Sequence, residues 1–153
     1  MTTQAQVERN KATIRRLFDE VINTGRLDLC PRYLADDRID HQEYGLPPGA
    51  ANGHAGFQRV LGEFLKAFPD LHLEIEFMIG EGDHLMAMVT TTGTHKGAFN
   101  GLPPTGRSFR VNSSDIFRFD EQGKVSDHWG VFDTFGMLAQ LGLVGDVESA
   151  EAA

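Results

Sequence analysis

A single cysteine, Cys30, occurs in the 153 residues of this chain. An internal disulfide is excluded, and so is a zinc centre built on several thiolates. Between Leu29 and Pro31, Cys30 reads as a small packed hydrophobe. No apolar run reaches the length of about 18 residues that a membrane-spanning helix needs. The segment Met1 to Asn10 lacks the apolar core of a secretory signal, so a cytoplasmic address is expected. Cations are scarce, with 14 Lys and Arg against 22 Asp and Glu, a net charge of −8. No basic run or stripe occurs, which argues against nucleic acid and anionic membrane as partners. Six histidines are present, but none forms a His-x-His or His-x-x-x-His pair, so no metal is expected. Nucleotide-binding glycine loops, Ser-His-Asp arrangements, internal repeats and linkers are also absent. Residues 1–153 are therefore expected to form one domain.

Hydrophobic periodicity is strong. Val7, Ile14, Leu17, Phe18, Val21 and Ile22 form a helical stripe that Gly25 ends. A short second helix is expected near Leu27 to Leu34, with Pro31 in its first turn or breaking it. A brief strand from Arg38 to His41 precedes a Gly/Pro loop at Tyr44 to Asn52. Phe57, Val60, Leu61, Phe64, Leu65 and Phe68 then predict a helix that Pro69 stops, its stripe packed on the concave face of a sheet. From Leu71 the period becomes two. Leu71, Leu73, Ile75, Phe77 and Ile79 are placed on one strand face. Further strands are expected over Leu85 to His95, Ser108 to Phe119 and Lys124 to Phe132. A loop at Lys96 to Gly106 and a tight hairpin at Asp120 to Gly123 connect them. A closing helix, Thr134 to Leu141, ends at Gly142, and Val147 to Ala153 reads as a frayed tail. The order implies an α+β fold, a strongly curved, mostly antiparallel sheet over helices that encloses a pocket open at one end.

The strand after the hairpin carries the only tryptophan, Trp129, between two acids. Strict alternation puts Val125, Asp127, Trp129, Val131 and Asp133 on one face and turns His128 away. Acids among apolar side chains suit the wall of a ligand cavity, where a carboxyl pKa is raised for proton transfer. With Gly123 as the bulge, Asp115 would face Asp127 and Ser113 would face Trp129. Paired carboxylates would raise one pKa further. Asp133 also precedes the last helix, so it fits an N-cap as well as a cavity group.

Several segments appear in a diagnostic order: Ala67-Phe68-Pro69-Asp70-Leu71, Gly93-Thr94-His95-Lys96-Gly97, Gly101-Leu102-Pro103-Pro104-Thr105-Gly106-Arg107, Phe117-Arg118-Phe119, His128-Trp129 and Gln140-Leu141-Gly142. They resemble the SnoaL-like polyketide cyclase or ester cyclase family of the NTF2-like superfamily, from Asn10 to Val144. The resemblance implies a cone-shaped α+β barrel and a homodimer joined through the outer sheet face. It implies general acid/base catalysis by a pocket aspartate, without metal or organic cofactor, in an intramolecular aldol closure. Asp133 matches that aspartate, and Asp127 is its competitor. His41, Trp129, Asp115 and Phe64 are the expected contacts to a small apolar or aromatic carbonyl compound. Two departures stand out. Met86-Ala87-Met88 replaces a strand that usually carries arginine, and Asp127 replaces the usual glutamate. The same superfamily hosts epoxide hydrolases, dehydratases, isomerases and binding proteins, which remain the alternatives.

Overall fold

The computed structural model describes residues 3–42 and 44–145; the tail expected at Val147 to Ala153 lies outside them. Helix α1, Gln4–Arg16, starts where the Thr3 side chain accepts a hydrogen bond from the Gln6 amide. It continues through a π-helical turn, Leu17–Ile22. All six stripe residues from Val7 to Ile22 are buried, as their spacing requires. The expected second helix is a 3-10 helix, Leu27–Arg32, with Pro31 inside it. Strand β1, Leu34–Asp40, starts earlier than expected. Helix α2, Gly53–Ala67, follows the Gly/Pro loop. Strands β2, His72–Glu81, β3, His84–Thr94, β4, Ser108–Phe119, and β5, Val125–Phe132, follow, and α3, Thr134–Gln140, closes the fold.

The fold is α+β. Its five-stranded sheet has the order β1-β5-β4-β3-β2. β1 runs parallel to β5, and every other pair is antiparallel. The first helix, the 3-10 turn and α2 cover one face, where Ile14, Leu34, Phe68, Leu85, Val89 and Val125 are almost fully buried. Between β3 and β4, Asn100 and Gly101 both take positive φ inside the small bridge Phe99↔Leu102. Asn-Gly is the pair that such a two-residue turn favours.

Two bulges reorder the strand faces. In β2, Ile75 pairs with Val89 but Phe77 pairs with Met88. One extra residue, Glu76, intervenes, and each side chain beyond it changes face. The expectation that Phe77 and Ile79 share a face with Leu73 and Ile75 is therefore corrected. Both lie exposed on the outer face, and Met78 packs against the core instead. In β5, Phe119 pairs with Val125 but Arg118 pairs with Asp127, so Ser126 is the extra residue.

Candidate functional site

A cavity of about 680 Å³ lies between the concave sheet face and the helices. That volume suits a drug-sized molecule. Its wall is mostly apolar and includes Phe18, Leu61, Phe64, Phe99, Phe117 and Phe132. Phe57, Val60, Leu61 and Phe64 of α2 all face it. The expected stripe is thus turned toward the sheet, and Phe57, Val60 and Phe64 are only half-buried because they border open space.

One polar cluster lies on β1, β4 and β5 and the segment after β1, while Arg59 and Glu63 of α2 and Asn100 also border the cavity. Because of the Ser126 bulge, His128 points into the cavity, with Gly130 and Phe132 following at period two. The expectation that His128 turns away is corrected. His128 is buried between two carboxylates. Its Nδ1 lies 3.0 Å from Oδ1 of Asp40, and its Nε2 lies 2.9 Å from Oδ1 of Asp115. Burial opposes a charged ring. The hydrogen bonds to Asp115 and Asp40, and then their charges, outweigh it and push the imidazole up to about 8.

Asp40 is the hub. Its side chain is 2% exposed. Oδ1 accepts from His128 and from the Gln42 amide at 3.0 Å. Oδ2 accepts from Nη2 of Arg38 at 2.5 Å and lies 3.3 Å from the Tyr44 hydroxyl. These partners fill the acceptor sites of a carboxylate. Burial works against the charge of Asp40, but His128 and Arg38 hold its carboxyl below the usual range. Arg38, itself buried, also donates to the Ala51 carbonyl at 3.1 Å and sits over the Phe57 ring. At the other end, Oδ2 of Asp115 accepts from the Ser113 hydroxyl at 3.2 Å.

The acids expected to lead the chemistry lie elsewhere. Asp127 is on the outer face, opposite Arg118 rather than Asp115. Ser113 pairs with Phe132, not with Trp129, and Asp115 pairs with Gly130. Oδ1 of Asp127 lies 2.9 Å from Nε2 of His41, and Oδ2 accepts from Arg118 at 2.8 Å and from Ser126 at 2.8 Å. Burial raises its pKa, but the hydrogen bonds from His41, Ser126 and Arg118 outweigh that and hold it below the ordinary range. The expected upward shift is reversed there. Trp129 is half-buried outside the cavity and stacks on His41 with ring centroids 4.4 Å apart. Asp133 is exposed and caps α3, accepting from the Gly136 amide at 2.8 Å. Of the expected residues, Asp115 and Phe64 line the large cavity, whereas Asp127, Trp129, His41 and Asp133 do not.

Arg38, Asp40, Gln42 and Tyr44, all on the cavity wall, were not expected. Their sequence signal is a polar residue at every second position from Arg38, a pattern that starts in β1 and runs on past its end at Asp40. Among the described residues, no group of three or more His, Cys, Asp or Glu side chains is placed to hold a metal ion. Nor is any helix long and apolar enough to cross a membrane.

The chain matches the family model of SnoaL-like polyketide cyclases over residues 12–141. Among solved structures it is similar to IdmH of Streptomyces antibioticus, a candidate polyketide cyclase. The two are 30% identical, the match covers 87% of this chain and 98% of IdmH, and the TM-score is 0.75. It is also similar to AclR of Streptomyces galilaeus, a candidate hydroxylase, at 30% identity, 94% and 87% coverage and a TM-score of 0.78. A third, a candidate polyketide cyclase of Bacillus cereus, is 26% identical over 94% of this chain and 87% of its own, with a TM-score of 0.76. No curated protein matches the chain.

Proposed function

The chain belongs to the SnoaL-like polyketide cyclase family, and from that premise we propose that it closes a ring by proton transfer next to a carbonyl, with Asp115 as general base. The observation that carries this reading is the buried His128 clamped between Asp115 and Asp40 at the edge of an apolar cavity. A neutral apolar or aromatic carbonyl compound fills the Phe-lined space. Asp115 takes the proton beside the carbonyl, and the C–H electron pair becomes the enolate. The enolate carbon bonds to a second carbonyl of the same molecule. The resulting alkoxide recovers the proton from Asp115. No proton or electron is gained or lost overall, so the aldol step needs no cofactor. His128, charged between two carboxylates, orients Asp115, and Asp40 with Arg38 holds the imidazole in place. We assign Asp133 to helix capping and Asp127 with His41 to support of the outer strand face.

The test is deuterium uptake at the α-carbons of β-tetralone, a neutral bicyclic ketone, followed by proton NMR in heavy water. Asp115→Asn is expected to slow catalysed exchange roughly 10²–10⁴-fold with the fold retained, the usual worth of a general base. Asp133→Asn is expected to be nearly silent, because Asn caps about as well as Asp. Exchange by the unaltered protein at the solvent rate, or an unaffected Asp115→Asn variant, would overturn the reading.

We also propose that two copies pair through their outer sheet faces. The bulges leave Ile79, Met86, Ile116 and Trp129 in one cross-strand row there. Phe77, Met88, Ser114 and Val131 form the next.

A further inference from the structure

The proton-transfer reading leaves the substrate oxygen without a partner, and the cavity contains an unused group that suits it. Asp40 is saturated, and both ring nitrogens of His128 are engaged. The Tyr44 hydroxyl is different. Its oxygen lies 3.0 Å from Oε1 of Gln42 and 3.3 Å from Oδ2 of Asp40. One hydroxyl proton thus faces two acceptors and can satisfy only one. Turning the Gln42 carboxamide by half a turn replaces that acceptor with an N–H donor. Gln42 then donates to the phenol oxygen, and the phenol hydrogen is free to leave the long bond to Asp40 for a new acceptor.

Gln42 has its place because β5 carries no side chain there. A Cβ built on Gly130 would lie 2.0 Å from Oε1 of Gln42. Gly130 is also the residue paired with Asp115. The gap that seats Gln42 is therefore beside the base, and Tyr44 lines the same cavity as Asp115.

We propose that Tyr44 is a second catalytic group, a neutral phenol that donates a hydrogen bond to the substrate carbonyl oxygen while Asp115 removes the adjacent proton, and that Gln42, seated in the space left by Gly130, orients it. This inference rests on the proton-transfer reading. The O–H bond of Tyr44 stays intact throughout. Charge moves from the C–H bond to the oxygen, where the donor meets it. Burial, then the charge of Asp40, pushes the Tyr44 phenol upward, so it keeps its proton when the base is ionised.

Two measurements separate this inference from the one beneath it. In β-tetralone exchange, Tyr44→Phe is expected to lower the rate roughly 10²-fold, the usual worth of an oxyanion donor. The Cβ of Gly130→Ala would press chiefly on the flexible end of Gln42, with a 3.1 Å contact to Cε1 of His128, and the substitution is expected to cost part of that. The second measurement uses Asp115→Asn, a neutral stand-in for the protonated base, titrated with para-nitrophenol and read by phenolate absorbance. Adding Tyr44→Phe is expected to weaken phenolate binding about 10- to 100-fold, the worth of a hydrogen bond to a charge. Binding of nitrobenzene, which has no phenolate oxygen, is expected to stay unchanged. Equal phenolate binding with and without the Tyr44 hydroxyl would overturn the inference, whatever Asp115→Asn does to exchange. A Tyr44-dependent phenolate site in a protein that does not exchange β-tetralone would support Tyr44 as the oxygen's donor and overturn Asp115 as the base.

Discussion

His128 couples the candidate site to the stability of the fold. Its imidazole rises from 6.5 in the ordinary case to about 8. A group whose folded pKa lies above its unfolded value stabilises the fold fully below the unfolded value. That contribution is lost as pH rises through the folded one. The urea midpoint is therefore expected to fall between pH 6.5 and 9, by on the order of 2 kcal/mol of stability in all. His128→Gln is expected to flatten this slope, and an equal slope in both proteins would show that His128 is not the group responsible. At this scale the sequence was only partly legible. Asp115 and Phe64, expected as contacts to a small molecule, line the cavity. Asp40 and Tyr44 were missed because a polar alternation at a strand end looks like an ordinary solvated edge. It becomes a buried hub only when β5 is laid beside it.

The secondary structure elements were easier to read than their faces. β4 spans Ser108–Phe119, as its alternation predicts, and Phe109, Val111, Ser113 and Phe117 are buried on its inner side. No bulge lies within those residues against β3. β2 and β5 each contain one, and there period-two reasoning fails by one residue. Phe77-Met78-Ile79 does carry a trace of this, since three consecutive apolar residues cannot share one face. Ser126-Asp127-His128 carries none, because three polar residues fit either register. The bulge leads to an unusual expectation. Deleting Ser126 restores regular alternation, with Val125 inward, Asp127 outward and His128 still inward. The deletion is expected to fold and to cost about 1–2 kcal/mol, chiefly the lost hydrogen bond to Asp127 and the altered local twist. Proton NMR of His128 is expected to keep its raised titration. A return to about 6.5 would mean that the strand had slipped and turned the ring outward.

Considered whole, the molecule carries apolar side chains on both faces of its sheet. The concave face was legible, because helical stripes and the inner side of β4 converge on it. The outer face was only partly so. Met88, Thr90 and Thr92 alternate along β3 as uncharged residues of that face, but its larger apolar members are delivered by the two bulges. Val131 is 75% exposed, Ile79 59% and Phe77 48%, on one continuous surface with Ile116 and Trp129. Such a patch exceeds the scattered apolar residues of an ordinary monomer surface. Each of these side chains gains about 1.5–3 kcal/mol when fully buried. A second copy related by a two-fold axis presents the same rows to itself. Acids and bases both border the patch, Glu74 and Glu76 on β2 and Arg110 and Arg118 on β4, so two copies meet with either sign available. The pair is expected to sediment as a dimer at micromolar concentration. Ile79→Glu combined with Val131→Glu places like charges against each other and is expected to give a monomer, with the large cavity and the His128 titration unchanged. A monomer from the unaltered chain, or a dimer that survives both substitutions, would show that this face is not the interface.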